Sequence, residues 1–189
     1  MKLDLFILGC VSEKPIKAKS LLEIADYIKL GKWLSYNTDK LIERLDILNE
    51  LGYIRTFEDK NESIEKCYFS STELGMEYLH NNLTSYIKSN ETDMGMIMLF
   101  LTFSNHLSRL EIIHIIEKKI EGLKQKLEKT IDMEKENKTE NKIRDLSLKA
   151  LKNFRESEIA IYEELLSYAK EHDTWNDFLV LKDKWEYTV

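Results

Sequence analysis

The sequence predicts a mainly α-helical chain that opens with a small helix-and-hairpin head. Two observations carry this. Glycine and proline are scarce, 6 and 1 among 189 residues, too few to turn the many strands of a β-sandwich. Apolar residues recur at spacings of three and four over most of the chain, with one lapse into strand-rich composition after Gly52. The length allows one to two domains with a proper core and no need of disulfides or metal.

Residues 3–11 (LDLFILGCV) form a short apolar first helix, which Pro15 closes. Ser20 and Glu23 have capping-box spacing, so a second helix is expected over roughly 20–30. Leu21, Ile24 and Ile28 give it one apolar face, and Gly31 ends it. A third helix starts at Thr38 as N-cap and carries Leu41, Leu45 and Leu48; Gly52 takes the position after its end. Residues 53–57 and 64–69 are then β-rich and flank the polar stretch 58–63, which predicts a two-stranded hairpin. Thr72 caps a fourth helix over roughly 73–88.

The remainder reads as helical. Asp93 caps an apolar helix over 94–105. Ser108 and Glu111 form a second capping box. It opens a long helix with Ile113, Ile116, Ile120, Leu123 and Leu127 at alternating spacings of three and four. That seam is too short for an autonomous coiled coil and needs a partner. The charged stretch 132–142 makes the reversal, and a further helix runs to about 170 with Ala150, Phe154, Ile161, Leu165 and Tyr168 on one side. Thr174 and Asp177 mark a last short helix with Trp175, Phe178, Leu181 and Trp185 on one face. No internal repeat or low-complexity segment is present.

Composition excludes several function classes. Net charge is −6, so the chain is no general polyanion binder, although a local basic site is compatible with it. No glycine-rich phosphate loop, GxSxG or HExxH can be drawn, and neither cysteine has a histidine partner in sequence, so no enzyme activity is expected. Glu111 and His114 have ligand spacing on a helix, but a di-iron bundle needs two such motifs, so no metal or other cofactor is expected. Cys10 and Cys67 lie in apolar settings without CxxC spacing; buried thiols of a reducing cytosol explain them, and a redox pair is the other reading. The longest apolar run, Met94 to Phe103, is half a membrane span, and the N-terminus has no cleavage site. A cytoplasmic protein without a membrane segment is expected. Phe100, Phe103, Phe154, Tyr162, Trp175, Phe178 and Trp185 are either plain core or the lining of an effector pocket.

Three helices, a hairpin and a fourth helix are the order of a winged helix-turn-helix domain, here residues 1–88, followed by an all-helical dimerisation domain, residues 89–189, whose aromatic residues leave effector binding open as one of two readings. In such a head the N-terminal end of the third helix reaches base edges. That end holds Ser35, Tyr36, Asn37, Thr38 and Lys40, with Arg44 a turn later. Lys17 and Lys19 precede the second helix, and Lys60 and Asn61 sit at the wing tip; all ten are candidate contacts to double-stranded DNA. Phe100 and the seam Ile113, Ile116, Ile120, Leu123 and Leu127 are candidate dimerisation residues. Two heads on a homodimer would read an inverted repeat. Against this, residues 1–90 carry 12 basic and 14 acidic side chains, and Asp39, Glu43, Asp46 and Glu50 lie on the third helix. A winged helix that binds another protein and has given up DNA is the alternative.

Four further stretches carry a resemblance. Ile7-Leu8-Gly9 is followed by Ser12-Glu13-Lys14-Pro15, and Trp33 precedes the third helix. Leu45, Leu48, Gly52, Tyr53 and Ile54 close that helix and open the wing, and Tyr68, Thr72, Glu73, Gly75 and Leu79 lead into the fourth. In this order and spacing, over roughly residues 3–170, the chain resembles the PadR family of bacterial transcriptional regulators. The apolar stretch with Phe100 and the long helix pair after it are similar to that family's dimerisation domain. The resemblance implies a homodimeric repressor released from its promoter by a small molecule or other signal. Where the family has H-G-Y-x-I after the proline, this chain has Ile16-Lys17-Ala18-Lys19-Ser20, and Ile42 stands for a family tyrosine; no specific base contact is carried over.

Overall fold

The computed structural model describes residues 1–57, 67–89, 93–136 and 142–172. The elements run α1 (Lys2–Val11), β1 (Ile16–Lys17), α2 (Ala18–Tyr27), α3 (Thr38–Glu50), β2 (Ile54–Phe57), β3 (Tyr68–Ser71), α4 (Glu73–Lys88), α5 (Met94–Phe103), α6 (Arg109–Glu136) and α7 (Lys142–Glu171). Short 3-10 turns at Leu30–Lys32 and Ser104–His106 follow α2 and α5. The fold is mainly α with a small antiparallel sheet, a winged helix-turn-helix head followed by long helices.

The chain forms two compact units. The first holds 1–86 and 91–106, and its core is built by α1. Leu5, Phe6, Leu8, Leu21, Leu45, Phe69, Leu79 and Phe100 are all fully buried in it. Gly9 lets α5 come close: a Cβ there would sit 2.6 Å from Cε1 of Phe103. The wing is a sheet of three strands rather than two, ordered β1-β3-β2. Ile16 pairs with Phe69, and Ile54 through Phe57 pair with Ser71 through Tyr68. The two-residue β1 is too short to announce itself by alternation, and it forms because the Pro15 turn lays Ile16 beside β3. The strand residues of the hairpin before Cys67 and its loop lie outside the described residues, as does the tail helix with Trp175, Phe178, Leu181 and Trp185.

Three of the caps expected from sequence form. Thr72 Oγ1 accepts from the Gly75 amide at 3.1 Å, and Asp93 Oδ1 accepts from Met96 at 3.1 Å. At Ser108 the capping box is reciprocal: Glu111 Oε2 accepts from the Ser108 amide at 2.9 Å, and Ser108 Oγ accepts from the Glu111 amide at 3.3 Å. Two caps fall elsewhere. Helix α2 begins at Ala18, so Ser20 is inside it and buried, and no side chain caps that end. Asn37, not Thr38, caps α3, its Oδ1 accepting from the Lys40 amide at 2.9 Å; asparagine and threonine both serve, and the extended backbone falls on Asn37. Helix α2 also ends earlier than Gly31. Its last residue is Tyr27, and Lys29 takes the left-handed position at φ 56°. Gly52 ends α3 as expected, at φ 72°, with the amides of Gly52 and Tyr53 bonded to Asn49 and Leu48 carbonyls in a Schellman motif.

The second unit holds 87–90 and 107–175, and its core is an antiparallel helix pair. Arg109 at the start of α6 donates to the Ala169 carbonyl near the end of α7 at 2.6 Å, and Arg155 donates to Lys126 at 2.6 Å. Ile112, Ile116, Ile120 and Leu123 of α6 meet Ile159, Tyr162, Leu165 and Ala169 of α7. The buried stripe of α7 thus differs from the expected one. Leu165 belongs to it, but Ala150 is exposed and Phe154, Ile161 and Tyr168 are only half-buried. Glu158 falls on the inward face instead, buried and 3.9 Å from Lys119 within the seam. Ile143 and Leu146 at the start of α7 are 77% and 67% exposed. Both cysteines are buried free thiols, and burial pushes the Cys10 thiol well up.

His106, half-buried after α5, lies 3.0 Å from Ser12 Oγ and stacks on Phe103. Burial lowers its pKa despite a hydrogen bond to Gly9. A histidine held neutral in the folded state takes up its proton more readily when unfolded. Stability is therefore full above the unfolded value near ~6.5 and falls as pH drops from there towards the lower folded pKa. The melting temperature should drop between pH 7.5 and 5.5, and His106→Gln should reduce that drop. An identical pH profile in the variant would contradict this.

Candidate nucleic-acid interface

Helix α3 is held from one side. Leu41, Leu45 and Leu48 are buried and pack it on α1, while Asp39, Lys40, Glu43, Asp46 and Glu50 are exposed. Spacings of four and three place the leucines on one stripe, so the opposite face is presented to solvent along its length. Of the candidate residues at its N-terminal end, Ser35, Asn37, Thr38 and Lys40 are exposed. The Asn37 side chain is already engaged as the cap. Tyr36 is half-buried and its hydroxyl donates to Asp26 Oδ1 at 3.2 Å. Burial first, then that hydrogen bond and the Asp26 charge, raises the Tyr36 pKa, so it presents a neutral phenol.

Arg44 is placed differently from the others. Its Nε and Nη2 donate to the two oxygens of Asp4 at 2.7 and 2.9 Å. The fork is bidentate, the geometry that makes arginine–carboxylate pairs strong. Asp4 is 3% exposed and also lies 2.9 Å from the Met1 ammonium. The hydrogen bond to Asp4 is the main reason that the Arg44 pKa is raised. The adjoining Tyr78 hydroxyl is pushed up by burial and then by the Asp4 charge, and its ring stacks on Tyr53 at 4.8 Å. Arg44 therefore ties α3 to α1 in this structure. Sequence reading gave Asp4 no role, although a lone acid in the apolar run LDLFILGCV was the signal for one.

Lys17 and Lys19 flank the start of α2, and both are exposed. The Lys17 ammonium lies 4.7 Å from the Tyr68 ring centroid, over the wing. Lys19 is 3.9 Å from Glu23, with both side chains largely in water, a pair worth little. Lys60 and Asn61 lie outside the described residues. On β2, Arg55, Thr56 and Phe57 are exposed, with the Arg55 guanidinium 4.8 Å from the Phe57 ring. The candidate dimer residues are largely used within the chain. Phe100 is fully buried in the first unit. Ile116, Ile120 and Leu123 are buried in the second, while Ile113 and Leu127 are half-buried. Among the described residues no cluster of metal-ligating side chains occurs, and no helix is long and apolar enough to cross a membrane.

The chain is similar to PadR-type regulators. One is Bacillus subtilis PadR in complex with operator DNA, at 20% identity and TM-score 0.39, covering 88% of this chain and 97% of that one. Another is the same Bacillus subtilis protein in complex with p-coumaric acid, at 20% identity and TM-score 0.39, covering 90% and 99%. A PadR-like transcriptional regulator from Bacillus cereus matches at 15% identity and TM-score 0.37, covering 90% and 99%. No protein-family model and no curated protein sequence matches the chain.

Proposed function

We propose that the chain is a sequence-specific DNA-binding transcriptional regulator of the cytoplasm, not an enzyme, acting as a homodimeric repressor on an inverted-repeat operator. The observation that supports this most is the presentation of α3: its leucine stripe is buried while Ser35, Thr38 and Lys40 stand exposed at its N-terminal end. On this reading residues 1–88 are the DNA-binding head. Ser35, Tyr36, Asn37, Thr38 and Lys40 lie at the groove, Lys17 and Lys19 hold phosphate, and Lys60 and Asn61, outside the described residues, are further candidate contacts to DNA. Arg44 acts through Asp4 and positions the helix rather than reading a base.

Residues 89–189 are the dimerisation part. The expected seam is largely buried within the chain, and the exposed Ile143 and Leu146, with Leu151 at 41%, offer apolar surface on α7 for the dimer contact instead. A small-molecule effector is the further partner on this reading; the cavity of about 180 Å³ lined by Ser89, Lys119 and Leu123, among others, is small beside ordinary ligand pockets. The exposed acids Asp39, Glu43, Asp46 and Glu50 favour a second reading, in which α3 meets a basic protein surface and no DNA.

The test is binding of the full chain to duplex DNA from upstream of its own gene, at several salt concentrations, alongside equilibrium sedimentation. A dimer that binds with strong salt dependence is expected. Lys40→Ala should weaken all sequences about equally and flatten the salt slope by about one. A monomer, or a dimer indifferent to DNA at low salt, overturns the reading and leaves the protein-binding alternative.

A further inference from the structure

Between the end of α2 and the segment that leads into α3 lies an open cleft of about 480 Å³, lined by Ala25, Asp26, Lys29, Gly31, Lys32 and Tyr36. Lys29 and Lys32 are both exposed, and among the described residues neither ammonium group has an ion-pair or hydrogen-bond partner. Asp26, the one acid of the lining, accepts from the Tyr36 hydroxyl at 3.2 Å. In a chain of net charge −6, residues 27–40 run the other way, with three lysines against the single acid Asp39.

The backbone at this cleft is also unusual. Lys29 sits at φ 56°, ψ 41°, and among the described residues it is the only non-glycine with positive φ. That position after a helix end favours glycine or asparagine. Gly31, two residues on, is not in the left-handed region. A lysine is thus held where a glycine would be easier, and backbone strain of this kind concentrates at functional sites.

In a helix-turn-helix the helix before the reading helix crosses the nucleic-acid backbone, and the N-terminal end of the reading helix enters the groove. The cleft joins those two places. We propose that it is a phosphate seat, in which Lys29 and Lys32 hold the DNA phosphodiester backbone beside the reading end of α3. The inference rests on the DNA-binding reading above and adds two contacts to it. The lysines neutralise phosphate charge and release counterions, so they act on affinity and salt dependence and not on the choice of base.

The full chain, Lys29→Gln/Lys32→Gln and Lys29→Gly are titrated against promoter duplex and an unrelated duplex over a range of salt. The double variant should bind both duplexes about tenfold or more weakly at low salt, and its salt slope should flatten by about one to two. Lys29→Gly should melt higher than the parent, because the strain is relieved, and yet bind DNA more weakly. If the parent binds DNA and the double variant keeps its slope, the seat is wrong and the DNA-binding reading stands. A Lys29→Gly chain that melts higher and binds as the parent does also removes the seat. If the parent binds neither duplex, the DNA reading itself falls.

Discussion

Arg44→Ala should cost about 3 kcal/mol of stability, because it leaves a buried carboxylate without its bidentate partner. For a chain of this length that is a fall in melting temperature of roughly 6–12 °C. Asp4 is almost wholly out of water, and after the change the Met1 ammonium is the one cation left paired with it among the described residues. Arg44→Lys should recover little of the loss, since an ammonium cannot match both carboxylate oxygens as the planar fork does. Asp4→Asn combined with Arg44→Ala should lose much less than the two single changes added together, because the pair is then removed from both ends. On the DNA-binding reading proposed above, DNA affinity should fall with stability in the single variants, because α3 is anchored to α1 through this contact. A melting temperature for Arg44→Ala within a degree of the parent would show that the guanidinium spends its time in solvent instead.

Gly75→Ala should be comparably damaging for a different reason. A Cβ at position 75 would overlap the Tyr53 carbonyl oxygen and lie 2.9 Å from its carbonyl carbon. The obstacle is backbone, and that carbonyl also accepts from the Thr72 amide at 3.0 Å and the Thr72 hydroxyl at 3.2 Å. Neither α4 nor the start of the wing can shift without losing the cap that begins α4. Overpacking of this kind costs ~3 kcal/mol. Gly52→Ala makes a useful comparison: nothing lies within 4 Å of its Cβ, and the penalty there comes from positive φ alone, roughly 1 kcal/mol. Thermal melts followed by circular dichroism would order the two; equal losses would contradict the steric account.

The helical elements of the head were legible because each carries its own period and stop signal. Leu41, Leu45 and Leu48 mark the buried side of α3, and Gly52 in the left-handed region ends it. What sequence did not disclose depends on partners far along the chain. β1 exists only because β3 lies beside it, fifty residues on. The role of Arg44 was hidden because its partner sits forty positions earlier, and a helix wheel gives the side of a residue but not the acid that it meets. The face of α7 was mistaken for a similar reason. Its sequence offers more than one apolar face, and which of them turns inward depends on the fit against α6, which the period of one helix does not contain. At the candidate interface, the exposed end of α3 was readable from the position of the third helix, whereas the lysines of the α2–α3 connection were not, because Gly31 drew the helix end two residues too far.

The Lys119–Glu158 pair makes a slip of the hairpin that contains it costly. The two residues are 5% and 1% exposed in a mostly apolar seam, and the Lys119 ammonium also donates to the Ser89 carbonyl at 3.1 Å. Sliding α7 by one turn along α6 moves a side chain about 5.4 Å. Leucines and isoleucines tolerate such a slip, since one apolar neighbour replaces another. A lysine and a glutamate do not, because each would be stranded in the seam without its opposite charge, at a cost well above that of an apolar mismatch. The aliphatic residues of the two helices thus supply the adhesion, and the polar contacts between them, this pair together with Arg109 on the Ala169 carbonyl and Arg155 on the Lys126 carbonyl, disfavour a slipped alignment.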